Sequence, residues 1–144
     1  MNAIKGFIGS VLLAIALIAS TTANAWKIQK QNGLTIVSEE KGQWGVFFSG
    51  NQDEAVFCFV GPMNAIADET QSVRLKVGEG KWFDAPFVGY DHETLCSMET
   101  KKAQGLFGAM VAHGSISFGI TQQGQFKSVE FDASELNTKV QKKL

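Results

Sequence analysis

The chain contains two cysteines and two histidines, and with a few paired acids these are its candidates for covalent, acid–base or metal chemistry. A redox-active or nucleophilic thiol needs a C-x-x-C spacing or an activating base beside it, and neither Cys58 nor Cys96 has one in sequence. His92 stands in Asp91-His92-Glu93, but three consecutive residues do not converge on one ion and no second cluster completes a ligand set, so no metal is expected. The stretch Gly114-Ser115-Ile116-Ser117-Phe118-Gly119 misses the G-x-S-x-G offsets of a nucleophile elbow. His113, directly before Gly114, reads as the basic end of a helix. Asp53-Glu54 and Asp68-Glu69 have the composition for acid and base work, yet both adjoin turn signals and read as solvated loops. The expectation is a non-enzymatic protein. An enzyme built on His92 and its neighbouring acids ranks last.

Cofactor signatures are equally thin. No G-x-G-x-x-G opens a helix after a strand and no Walker-type lysine loop occurs, so no cofactor is expected and Gly78-Glu79-Gly80-Lys81 reads as a hairpin turn. Aromatic residues offer a different chemistry. Phe57 and Phe59 read as core, whereas Trp82, Phe83 and Phe87 flank a hairpin and an irregular stretch where large rings can stay partly exposed and anchor a partner. That partner is not nucleic acid, because Arg74 is the single arginine of the chain and the formal net charge is −1.

Composition and the N-terminus set the context. The sequence has 144 residues, 44% hydrophobic and 19% charged, with two prolines, which is the make-up of a chain that buries a core. Lys5, the apolar run from Phe7 to Ala19 and the small residues of Ala23-Asn24-Ala25 form the pattern of a cleaved export signal over residues 1–25. The remainder, 26–144, has the length of one domain. The apolar run is shorter than the roughly 20 residues a bilayer core needs, and no later segment is apolar enough to span. In an oxidising compartment the default state of Cys58 and Cys96 is a disulfide.

The elements that must position these residues follow from periodicity. Asn32-Gly33 is a hairpin turn joining strands Trp26–Gln31 and Leu34–Ser38. Gln43–Ser49 alternates, with Trp44, Val46 and Phe48 on one face. Glu54–Val60 is apolar on both faces and reads as central, while Ser72–Val77 has one wet face bearing Arg74 and Lys76. The stretch from Trp82 to Tyr90, punctuated by Pro86 and Gly89, reads as irregular. Helical spacing over Thr94–Ala112 predicts a helix capped by Ser97 and ended by His113-Gly114. Gly105 and Gly108 weaken it by about 1 kcal/mol each, which points to close packing against a sheet. Ser115–Thr121 and Gln125–Phe131 close the sheet, and Asp132 or Ser134 caps a short last helix carrying Leu136 and Val140. The fold class is α+β, mainly antiparallel β: a compact sandwich or curled sheet with one packed helix and a short C-terminal helix.

This order of motifs resembles the invasion-associated locus B family. The residues that carry the resemblance are Trp44-Gly45-Val46, Phe57-Cys58-Phe59, Val73-Arg74-Leu75-Lys76-Val77, Cys96-Ser97-Met98, Leu106 to Gly114, and Val129-Glu130-Phe131 leading to Leu136. Two positions depart from the family pattern: Phe48, where the family continues its tryptophan strand to a cysteine, and Leu95-Cys96 in place of Gly-Cys, so the family's cysteine pairing does not transfer. The resemblance implies a periplasmic or outer-membrane-associated bacterial protein without established enzyme activity, linked in some members to host-cell invasion. Its expected partner is a protein or a cell-envelope component. The alternative is an exported inhibitor of a lysozyme or protease, working through one rigid loop on the same scaffold.

Overall fold

Tight turns and alternating strands build most of the molecule, which is described by a computed structural model over residues 26–136. The predicted export signal at 1–25 and the last helix beyond Leu136 lie outside the described residues. Strands β1 (Lys27–Gln31) and β2 (Leu34–Lys41) pair around Asn32-Gly33, both residues with positive φ, as a two-residue hairpin turn demands. Strands β3 (Trp44–Gly50) and β4 (Ala55–Val60) continue the antiparallel meander. The Asn51 side chain accepts the backbone N–H of Asp53 and of Glu54 at 2.8 and 2.9 Å, which turns the chain between them.

After β4 the chain leaves its neighbour and returns. β5 (Thr70–Val77) and β6 (Phe83–Asp91) form a hairpin, then β7 (Thr94–Ser97) comes back beside β4. Helix α1 (Thr100–His113) follows, and β8 (Ser115–Gln122) and β9 (Gln125–Asp132) complete a nine-stranded sheet of order β1-β2-β3-β4-β7-β6-β5-β8-β9. The sheet curls into a half-barrel around one helix, an α+β and mainly β fold. Its two ends approach each other. The Trp26 indole Nε1–H donates to the Asp132 carbonyl at 2.6 Å, and Lys41 Nζ donates to the Glu130 carbonyl at 2.9 Å.

The helix and the concave face of the sheet form the main core. Phe59 of β4 stacks on Phe118 of β8 at 4.3 Å and meets Phe57, Phe87 and Phe131, while Phe48 stacks on Phe107 of the helix at 4.2 Å. Ala103 and Met110 are the fully buried helix positions. Gly114, left-handed at φ 82°, ends α1 by donating its N–H to Met110 O, as helix-terminating glycines do.

Three expectations need correction. Thr94–Ser97 is a strand, not the first turn of the helix, which starts at Thr100 with Glu99 at its N-cap instead of Ser97. Here sheet pairing overrides a weak helical period, because these four residues fill the gap between β4 and β6 and bring Cys96 opposite Cys58. The stretch Phe83–Asp91 is a nine-residue strand despite Pro86 and Gly89. β7 reaches only Val88 to Asp91, so Pro86 pairs with β5 alone and its missing N–H can face the unpaired side. Gly105 and Gly108 do not pack against the sheet: a Cβ built at either would meet nothing within 4 Å.

Candidate functional site

The sulfurs of Cys58 and Cys96 are joined, as expected, with Cα atoms 4.1 Å apart across the directly paired strands β4 and β7. Both cysteines are fully buried among Ile36, Phe47 and Val56, on the face of the sheet opposite the helix. This bridge fixes the register at which β7 docks after a sequence separation of 38. Full burial of both cysteines is the setting of a structural bridge.

The titratable residues do not assemble. His92 is an exposed side chain 3.5 Å from Glu93, its sequence neighbour, and His113 lies at the far C-terminal end of α1. Among the described residues no group of three or more His, Cys, Asp or Glu is placed to hold a metal ion. Asp132 is held clearly away from its ordinary pKa. Hydrogen bonds from the backbone and side chain of Ser134, with Lys41 nearby, keep its carboxyl below the usual carboxylate value.

The aromatic residues singled out in the sequence separate three ways. Phe87 is fully buried against Phe59, so its expected place on a partner-binding surface is corrected: it shares the concave face with Val73, Ala85 and Leu75. Phe83 lies on that same face at the start of β6, paired with Leu75 but left 42% exposed at the end of the strand. Trp82, one residue earlier, goes to the other side of the sheet. It meets Phe126 edge-on, with ring centroids 5.5 Å apart and planes at 85°.

Phe126 is the residue that the sequence reading passed over. The turn at Gln123-Gly124, positive in φ at both residues, pairs Gln122 with Gln125 and therefore Thr121 with Phe126. Since Phe131 points into the core, Phe126 must point out, and that parity was available from the strand pattern alone. It remains 48% exposed.

Gly119 is what lets the two rings meet. Any Cβ there would collide with the Phe126 ring and come within 3.3 Å of Trp82, so the aromatics cover the backbone where a side chain would otherwise stand. Such cover for a strand glycine has a structural use of its own. Lys76 adds its ammonium at 5.9 Å from the Trp82 ring, near the outer limit of a cation–π contact. Around the pair, strand pairing lines up Asp84, Arg74, Gly119 and Ser128 in one row, Lys76, Ser117 and Glu130 in the next, and Thr121 with Phe126 in a third. Arg74 and Asp84 form an exposed ion pair at 3.5 Å. The result is an aromatic corner on an otherwise polar sheet face. Compared with models of protein families, with curated proteins and with solved structures, the chain matches none.

Proposed function

We propose that this protein is a non-enzymatic envelope protein of the invasion-associated locus B type, exported to the periplasm or the outer membrane, that works as a recognition module. The binding surface is the outer face of β5, β8 and β9, centred on Trp82 and Phe126. The observation that carries this reading is the contrast in burial across one part of the sheet: Leu75 of β5 and Phe118 of β8 are sealed in the core, while on the reverse side Trp82, just before β6, and Phe126 of β9 meet over Gly119, with Phe126 48% exposed. Exposed aromatic anchors within a polar surround are the usual make-up of binding hot spots. The leader-like N-terminus and the closed disulfide support an exported location, and no helix among the described residues is long and apolar enough to cross a membrane.

The inhibitor reading is less well supported. Insertion into an active site calls for a projecting loop, whereas the hairpins β1–β2, β2–β3 and β8–β9 close through two-residue turns, and the longer connection 61–69 is tied to its neighbours by the backbone N–H groups of Gly61, Ala65 and Asp68, which donate to Glu93, His92 and Gly89 carbonyls. Co-sedimentation of the purified protein with isolated cell-envelope fragments tests the recognition reading. Retention should fall at least tenfold in Trp82→Ala and in Phe126→Ala, with far-ultraviolet circular dichroism unchanged. Equal retention of both variants would remove this surface from the function.

A further inference from the structure

We infer that the outer face of β2, β3, β4 and β7, the face that carries the disulfide, is the interface of a symmetric dimer, and that its occupant in the processed protein is a second copy of this chain. The inference goes beyond the recognition reading and does not depend on it.

The first observation is a seal without a described cover. Ile36, Phe47, Val56, Cys58 and Cys96 are each at most 2% exposed on this face, and strand alternation puts Ser38 and Ser49 on the same side. Among the described residues no helix or strand lies over them. The helix packs on the concave side, and the other substantial contacts between elements join neighbouring strands of the sheet. The buried apolar residues of the connections and ends, Trp26, Met63, Ala65, Ala133 and Leu136, all belong to the helix-side core. Residues 26–136 therefore do not seal this face by themselves.

Composition then decides what the rest of the chain can contribute. Residues 137–144 bring only Val140 and Leu144 as apolar side chains, beside three lysines, too little for a face four strands wide. Residues 7–19 are apolar enough, but the leader pattern has them removed on export. The processed chain is left with an apolar face that needs another cover.

Size and symmetry single out a second copy. With strands about 4.8 Å apart and about 3.4 Å of rise per residue, four strands by five residues span roughly 300 Å². A patch of that extent on a free monomer is an association site, and it has the scale of the apolar centre of an interface that buries about 800 Å² per partner. None of the residues named on it is charged, so a two-fold axis through the patch brings it onto its own copy without like-charge repulsion. Two sheet faces also pack together about 10 Å apart without any projecting loop. The Ser49 hydroxyl, buried here with no hydrogen-bond partner among the described residues, gains one from the serines of the facing copy. A copy is, moreover, the one partner present wherever the exported chain is. The Trp82–Phe126 corner lies on the other half of the sheet and stays outside this interface.

Sedimentation equilibrium of the exported protein, with Trp26 confirmed as its first residue by mass spectrometry, tests this. A two-chain mass is expected, with the dissociation constant raised at least tenfold by Ile36→Lys and by Val56→Lys and unchanged by Trp82→Ala. Should a lysine variant fail to fold, the milder Val56→Ala, which trims the face without charging it, still has to weaken the dimer. A one-chain mass at every concentration, a dimer indifferent to these substitutions, or a recovered chain that still carries residues 7–19 overturns the inference. For a one-chain mass, binding of that monomer to phospholipid vesicles or to a synthetic peptide of residues 7–19 would identify the cover as lipid or as the leader instead.

Discussion

The β4–β7 region and the β5–β8–β9 region belong to one sheet, yet they spend their side chains differently. In β4 both faces are buried: Phe57 and Phe59 enter the helix-covered core, while Val56 and Cys58 lie in a second apolar cluster behind it. In β5 and β8 only one face is apolar, and the other carries Arg74, Lys76 and the buried Ser117 beside Gly119, which the Trp82 and Phe126 rings cover. The difference assigns roles. The first region carries the two-sided packing and the cross-link, and the second carries the partly open polar face proposed above for binding.

Several substitutions can break that division. The largest effect is expected at Phe59, where truncation to alanine removes a ring that stacks on Phe118 and touches three other aromatics. A loss of about 3–5 kcal/mol in urea unfolding is expected. Phe126→Ala, by contrast, should cost about 1 kcal/mol or less, since half its ring is already in water. Comparable losses at the two positions would mean that the outer face is structural. Replacing both Cys58 and Cys96 by serine should lower stability by roughly 4 kcal/mol, the chain-entropy value for a loop of this length. A thermal midpoint unmoved by the double substitution would show that strand pairing alone fixes β7.

Much of this division was legible in the residues. The apolar run Val56 to Val60 announced a strand buried on both sides, and the alternation from Val73 to Val77 announced one wet face. Three things were not. The segment Leu95-Cys96-Ser97 has an apolar spacing compatible with a helix, and only the long-range demand of the sheet makes it a strand. Pro86 and Gly89 are turn signals whose local meaning is cancelled by pairing on one side and by the close approach of the Ile66 carbonyl to Gly89. The third is the aromatic pairing itself. The order Trp82-Phe83 presents two adjacent rings, but strand alternation sends them to opposite faces, and the true neighbour of Trp82 lies 44 residues along the chain, across Gly119.

Smaller effects sharpen the picture. Gly105→Ala and Gly108→Ala place a methyl group in open space on the solvent side of α1, so each should stabilise by about 0.5–1 kcal/mol in thermal or urea unfolding. Destabilisation would mean that something packs against that side of the helix. Asp132 offers the smallest effect. Its carboxyl is held below its unfolded value, so the stabilisation it provides is present above the ordinary carboxylate pKa and is lost as pH falls through the depressed folded value. Asp132→Asn should therefore flatten the acid side of the stability–pH profile while leaving its slope above neutrality unchanged. A profile identical to wild type on the acid side would remove Asp132 from acid unfolding.

The division of labour between the two regions is tested most directly by amide and indole chemical-shift mapping on the labelled protein as solubilised cell-envelope fragments are added. The account predicts shifts at the Trp82 indole, Gly119, Thr121, Phe126 and Ser128, with Phe47, Cys58 and Cys96 unmoved. Shifts centred on the disulfide region, or none at Trp82 while the fragments bind, would contradict it.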